Sequence, residues 1–274
     1  MQILNPNINL AELAKQKKDE YQKADPFPNI AIHDFFDEDM LNKVVNEFPD
    51  LAVKKDVMKF THHNEKNKFA TKGEDLLGPV TKQLVHFLNS QPMLEFLQEL
   101  SGIKEKLLGD PYLEGGGYHE IKPGGMLKLH ADFNKHRDTN LDRRLNLLIY
   151  LNKDWDESYG GHFELWDKDR TKAYKKILPT FNTIAMFTTT DFSYHGHPDP
   201  LTCPPDRSRR SLALYYYTNG RPASEINKNL ENHSTLYVGR QGVDNDIKKI
   251  IRVKSIIRDF VPPIVIKTFR KITE

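Results

Sequence analysis

The 274-residue sequence predicts an α+β chain in which a helical layer supports a β-sandwich or jelly roll. Two patterns carry this expectation. Before residue 110, apolar residues recur at helical spacing; from Tyr112 to about residue 220 they fall into short runs separated by Gly, Pro and Asn. Many short strands broken by such turns suit all-β architectures that close on themselves. The simplest division is an N-terminal tail over 1–24, a helical support over 25–110, a β core over 111–220 and a C-terminal helical segment over 221–274.

Residues 1–24 are polar and Lys-rich, with a short amphipathic stretch over 10–14 that predicts a loosely docked helix. Pro26-Phe27-Pro28 holds Asp25 and Phe27 extended and opens a strand at Ile30-Ala31-Ile32. Asp37 reads as an N-cap, and Met40, Leu41, Val44, Val45 and Phe48 follow it at helical spacing. Further helices are expected over 76–88 and 93–100, the latter stopped by Gly102. His62-His63, in a polar Lys-rich stretch, is expected on a surface loop.

The β core begins with a strand over 118–121, in which His119 is expected to be a satisfied, partly buried histidine. A turn at Pro123-Gly124-Gly125 leads to a strand over 126–133, and a charged loop over 134–142 follows. The continuous apolar run over 145–151 reads as a buried strand. Gly160-Gly161 precedes a strand over 162–166. Pro179 and Asn182 turn the chain into 183–187, and His195 and Tyr215 mark the last two strands.

Composition narrows the function classes. A net charge of +2 offers no global attraction to nucleic acid. The single Cys203 excludes an internal disulfide and suits a reducing compartment. The first residues lack a basic-then-apolar secretory pattern, and no apolar run reaches the ~18–20 residues of a membrane span. A cytoplasmic location is the expectation.

The chemistry concentrates at Leu127-Lys128-Leu129-His130-Ala131-Asp132-Phe133. On a strand, residues two apart share a face, so His130 and Asp132 converge. Such a His–carboxylate pair with a later His makes the facial triad of a non-haem Fe(II) site, and the absence of clustered Cys argues against zinc-finger or Fe–S chemistry. His195 and His197 have the same strand parity, so alternation does not choose between them. His195 is preferred because it continues a strand from 191–194, whereas His197 abuts Pro198. In the final strand Arg209, Ser211 and Ala213 share one face, and Arg210, Leu212 and Leu214 the other. The first face offers a cation, a hydroxyl and a small residue to a ligand pocket.

In this order the residues resemble the Fe(II)/2-oxoglutarate dioxygenases, in particular the prolyl 4-hydroxylase-like branch. The resemblance spans about residues 25–220. It rests on Pro123-Gly124-Gly125 before the H-x-D, on Tyr150-Leu151-Asn152 with Gly160-Gly161-His162-Phe163-Glu164, on the hairpin from Pro179 to Phe187, on His195-Gly196-His197-Pro198, and on Arg209-x-Ser211. It implies a double-stranded β-helix, with His130, Asp132 and His195 as iron ligands and as the catalytic centre. It also implies Arg209 and Ser211 as cosubstrate-binding residues; Tyr118, Leu127 and Asn146 are further candidates for that pocket. The cofactors implied are Fe(II), 2-oxoglutarate as cosubstrate and O2, with ascorbate as an optional reductant. The implied reaction is hydroxylation of an unactivated C–H, with succinate and CO2 as coproducts; halogenating relatives have a small residue where this chain has Asp132. The prime substrate stays open among a peptidyl proline, a free amino acid and a glycan or other metabolite. Two departures bear on it: many prolyl hydroxylases use Lys where this chain has Arg209, and the loop before Arg209 is longer. A non-oxidative cupin-type enzyme and a binding module of the same fold are the alternatives. Cupins usually carry more His ligands and lack a cosubstrate Arg; iron binding separates the binding module.

After residue 220, Ile247, Ile250, Ile251, Ile257 and Phe260, broken by Pro262-Pro263, predict two amphipathic helices. Residues 244–274 hold eight Lys/Arg against four Asp/Glu. Contact with a membrane surface is one use of a basic amphipathic helix; packing on the chain's own domain is the preferred one.

Overall fold

Four α-helices and eleven β-strands form among the described residues, 1–226 and 232–244, of a computed structural model. Helix α1 (Leu10–Gln22) is longer than the 10–14 stretch and is firmly docked. Ala14 and Tyr21 are fully buried, and the Tyr21 hydroxyl meets that of Thr188 at 2.9 Å. Helix α2 (Glu38–Glu47) is capped as expected by Asp37, whose carboxylate accepts from the Met40 N–H at 2.9 Å. Helix α3 (Pro79–Leu88) starts later than the apolar pattern suggests. Pro79 occupies its first turn, and Glu47 at the end of α2 accepts from the N–H groups of Val80 and Thr81 at 2.9 and 2.8 Å. Helix α4 (Gln91–Ser101) ends at Gly102.

The strands are β1 (Asn29–His33), β2 (Met58–His62), β3 (Glu65–Ala70), β4 (Gly117–Ala131), β5 (Asp142–Tyr150), β6 (Phe163–Trp166), β7 (Ala173–Ile177), β8 (Thr183–Thr188), β9 (His195–His197), β10 (Arg209–Thr218) and β11 (Leu236–Tyr237). All their ladders are antiparallel, in the order β1-β8-β5-β10-β4-β9-β6-β7, with β3 and β11 added on β4 and β2 on β3. This is the double-stranded β-helix, or jelly roll. The β2–β3 hairpin and β7 escape the sequence pattern because both are Lys-rich and half exposed. His62 and His63 are exposed at the hairpin tip.

Strand β4 shapes the barrel. The expected turn at Pro123-Gly124-Gly125 is instead a bend within one 15-residue strand. Lys68 pairs with Ile121 and Lys66 with Met126, so residues 122–125 stand opposite Asn67 alone. Before the bend β4 pairs with β10; after it, with β9. One strand thus crosses from the first sheet to the second. The 198–208 loop packs on the bend, with the Leu201 N–H donating to Gly125 O at 2.9 Å and the Gly124 N–H to Leu201 O at 2.8 Å.

Alternation then divides the first sheet. Leu145, Leu147, Ile149, Leu212, Leu214 and Tyr216 belong to the main core with the helices. Burying each large apolar side chain contributes about 1.5–3 kcal/mol, so that face needs a cover, and the helices supply it. The opposite face, with Asn146, Leu148, Tyr150, Arg209, Ser211 and Tyr215, looks into the barrel. Past β10 the chain returns as β11 beside β4. Of the expected C-terminal helices, residues 245–274 lie outside the described residues. No described helix is long and apolar enough to cross a membrane.

Candidate active site

Within the barrel is a cavity of about 390 Å³. Along one side, His130, Asp132 and His195 bring their ligand atoms within 4.8 Å of one another. His130 Nε2 lies 3.6 Å from Asp132 Oδ1, and His195 Nε2 lies 3.4 Å from Oδ2. The tautomers follow from the backbone. His130 Nδ1 is 2.8 Å from Lys128 O and His195 Nδ1 is 2.9 Å from Ser193 O; a carbonyl only accepts, so each Nδ1 donates. Both Nε2 lone pairs are thereby aimed at the Asp132 side, the arrangement that metal-ligating histidines take. Burial, only partly offset by Asp132, pushes His195 down to about 3 and keeps the imidazole neutral.

Burial opposes the charge on Asp132, but the Arg143 guanidinium and then the two imidazoles hold its carboxyl well below the usual range. Arg143 Nη2 is 3.1 Å from Oδ2, and its plane lies between Tyr215 and Phe133, 3.4 and 4.3 Å from their centroids. Asn146 completes the clamp: Nδ2 donates to Asp132 Oδ2 at 2.8 Å, and Oδ1 accepts from Arg143 Nε at 2.9 Å. Asn146 therefore lines the cavity and there holds the Asp132 carboxylate.

His195 has a different local setting from the one expected. Residues 191–194 carry no strand, 191 and 192 being a turn, and β9 begins at His195 itself. In that turn the Ser193 hydroxyl donates to Thr190 O at 2.9 Å. His197 stands outside the three-residue cluster but lines the same cavity. Gly196 between them is required by close approach: a Cβ there would sit 2.7 Å from Leu127 O and 3.0 Å from Lys128 O. Burial, and then the Arg209 guanidinium, push His197 well below the usual histidine range.

Arg209 is 5% exposed and has no carboxylate partner among the described residues. Its Nε donates to Gly161 O at 2.8 Å and its Nη2 to the Tyr150 hydroxyl at 3.3 Å. Gly161 has φ +71, and a Cβ there would crowd Leu201 at 2.6 Å and Arg209 Cδ at 3.0 Å, so the Gly160-Gly161 pair lets backbone approach the guanidinium. Ser211, buried at 2%, follows Arg209 on the same face, and Leu127 lines the cavity opposite His197 in register. Arg210, on the other face, has its Nε 3.3 Å from Glu120 Oε1 and 3.0 Å from the Ser208 hydroxyl.

Tyr118 is not a cavity residue. Strand alternation turns it to the helices, where its hydroxyl donates to Thr81 Oγ1 at 2.5 Å and its ring packs 4.2 Å from that of Phe48. Its neighbour His119 faces the cavity, with Nε2 held 3.0 Å from Gly115 O. Tyr150, hidden in an apolar run, takes the place beside Arg209. Tyr118→Phe is expected to cost about 0.5–1.5 kcal/mol of stability and leave 2-oxoglutarate affinity unchanged. If Arg209 holds the cosubstrate as the resemblance implies, Tyr150→Phe is expected to weaken that affinity about threefold to tenfold. Melting curves and calorimetric titration of both variants check this contrast.

The rim comes from distant segments. The β2–β3 hairpin contributes Met58, Phe60, Glu65 and Lys68, with Lys68 Nζ 2.7 Å from Glu65. Beyond β10, Ser234, Thr235 and Tyr237 close the other side. Tyr237 pairs in register with His130, and the Val238 N–H donates to Leu129 O at 2.8 Å. An ion pair of 2.9 Å between Lys128 and Asp244 fixes this return.

The family model of the 2OG-Fe(II) oxygenase superfamily matches residues 116–217. Solved structures share the fold. A Pseudomonas putida prolyl-4-hydroxylase is 14% identical with a TM-score of 0.54, over 75% of this chain and 99% of that one. A Trichoplax adhaerens prolyl hydroxylase, in complex with a hypoxia inducible factor peptide fragment, is 16% identical with a TM-score of 0.57, over 76% and 90%. A prolyl 4-hydroxylase from Phytophthora capsici is 15% identical with a TM-score of 0.54, over 90% and 78%. Residues 116–217 thus match the 2OG-Fe(II) oxygenase superfamily, and the barrel has the fold of the prolyl 4-hydroxylases. The chain is a 2-oxoglutarate-dependent dioxygenase, and Fe(II), 2-oxoglutarate and O2 are its cofactors.

Proposed function

We propose that the protein hydroxylates an unactivated C–H bond, converting 2-oxoglutarate and O2 to succinate and CO2 as one oxygen atom enters the substrate. In this reading His130, Asp132 and His195 hold Fe(II), and Arg209 with Tyr150 holds the far carboxylate of 2-oxoglutarate; Ser211 lines the space between the strands. The observation that supports it most is that one cavity joins two complementary sites: two Nε2 atoms converging on a carboxylate, and a buried guanidinium without an acidic partner among the described residues. Neutral imidazoles and a carboxylate suit Fe(II), and a buried guanidinium suits a carboxylate.

When bound, Fe(II) and 2-oxoglutarate together supply the activation of O2. The chain supplies positioning. The carbonyls of Lys128 and Ser193 fix both imidazole tautomers. Arg143 and Asn146 both engage Asp132 Oδ2, so Oδ1 carries neither of these contacts and faces His130. Phe163 and Phe187 pack 5.5 and 4.5 Å from the His195 ring and keep that side dry.

A prolyl residue in a peptide is the first substrate class to test, by likeness to the prolyl hydroxylases above. Succinate release with Fe(II), 2-oxoglutarate and O2 should rise above the substrate-free rate with one member of a panel of prolyl peptides, free amino acids and glycans. Mass spectrometry of that member should show one added oxygen. Succinate without an oxidised product across the panel would count against hydroxylation of these classes; no binding of 2-oxoglutarate would overturn the reading.

A further inference from the structure

His197 is the buried polar group in the cavity that this mechanism leaves unused. It is 3% exposed, and no protein group among the described residues pairs with either ring nitrogen. The other three cavity histidines each have a carbonyl partner: Gly115 for His119, Lys128 for His130 and Ser193 for His195. Buried polar groups are nearly always satisfied, and an orphan calls for an explanation. A ligand that enters the cavity supplies one.

Its place in the barrel identifies which part of the ligand. His197 pairs with Leu127 after the bend of β4, whereas Arg209 pairs with Ile121 before it. The two side chains therefore project into the cavity from different sheets. Arg209 has already committed Nε to Gly161 O and one Nη2 hydrogen to Tyr150. A carboxylate has about four acceptor sites, more than the remaining guanidinium hydrogens on one side can fill.

Resting on the cosubstrate reading above, we propose that His197 is a second anchor for the far carboxylate of 2-oxoglutarate, donating a ring N–H to it from the sheet opposite Arg209. It is a positioning residue and takes no part in the oxidation. The chain thereby selects a dicarboxylate by contacts from both sheets.

The test is anaerobic calorimetry on full-length Fe(II)-loaded protein with two acids, 2-oxoglutarate and 2-oxopentanoate, which keeps the oxo acid end and lacks the far carboxylate. His197→Leu is expected to weaken 2-oxoglutarate about threefold to tenfold and leave 2-oxopentanoate unchanged; His197→Gln, which retains an N–H, recovers part of the loss. A second readout needs no cosubstrate: His197→Leu should melt at or above the wild-type temperature, because it removes an unpaired buried polar group. Wild-type affinity for 2-oxoglutarate in His197→Leu overturns the anchor, as does an equal loss for both acids, which would point to the prime-substrate side or to a packing role. A wild-type protein that binds 2-oxoglutarate no better than 2-oxopentanoate and is indifferent to Arg209→Ala overturns the cosubstrate reading itself.

Discussion

Asp132→Ala is expected to lower turnover by at least about a hundredfold, beyond what loss of a supporting contact around a metal costs, and to weaken Fe(II) binding. The carboxylate is the only anionic member of the proposed ligand set, and it sits against Arg143, which is 1% exposed. Removing it leaves a buried guanidinium facing two imidazoles with no anion beside them, so a cation is asked to enter a site with local positive charge. Breaking such a buried pair by deleting one partner also costs roughly 3–5 kcal/mol of stability. Asp132→Asn keeps the shape and a carbonyl acceptor, so it should melt above Asp132→Ala while still losing Fe(II) affinity. Metal titration, melting curves and succinate release on the two variants separate ligation from folding. Near wild-type turnover in Asp132→Ala would remove this residue from the metal.

Arg209→Ala should raise the 2-oxoglutarate requirement by at least about tenfold, since a hydrogen bond to a charged group is worth roughly 1.5–3 kcal/mol. Fe(II) affinity should persist, and the ligand-free protein should not lose much stability, because this guanidinium has no acidic partner among the described residues to leave behind. Arg210→Ala should do the opposite. It strips one cation from Glu120, which is 0% exposed and keeps Lys122 at 3.2 Å, so melting falls while the requirement for cosubstrate holds. Arg207 donates to Lys153 O and Asp154 O at the surface, and its removal should change neither quantity greatly. A normal requirement in Arg209→Ala with a large rise in Arg210→Ala would reverse the assigned strand faces.

The barrel was legible from short runs broken by Gly, Pro and Asn, and the shared faces within the candidate site from period-two alternation. His130 with Asp132, and Arg209 with Ser211, are pairs at that spacing, and the structure keeps each pair on one face. Counted back from His130, the same rule puts Tyr118 on the cavity face; the irregular pairing of β4 shifts the phase, and His119 takes that place. Within 145–151 it would have separated Asn146 and Tyr150 from Leu145, Leu147 and Ile149. Apolar continuity masked it, since a strand buried on both faces hides which face is which. The β2–β3 hairpin was illegible for another reason: its polar residues are held by an edge of β4 that no local pattern announces. The charged loop before β5 likewise concealed His136, 3% exposed and 3.2 Å from Glu114, because ion pairing at long sequence range leaves no periodic trace.

The return of the chain as β11 has a consequence for how this enzyme can change over evolutionary time. The proposed ligands and cosubstrate contacts all fall within 116–217, but the rim is built by Met58 to Lys68 on one side and Ser234 to Tyr237 on the other. The two rim pieces touch each other through the Glu65 and Tyr237 side chains, and the assembly joins the reactive centre where Tyr237 pairs with His130. Substitutions at Met58, Phe60, Ser234 and Thr235 are expected to reshape what is admitted and to leave the Arg143–Asn146 clamp on Asp132 in place. On the proposed reading, selectivity and reactivity are thus written in different stretches of one chain.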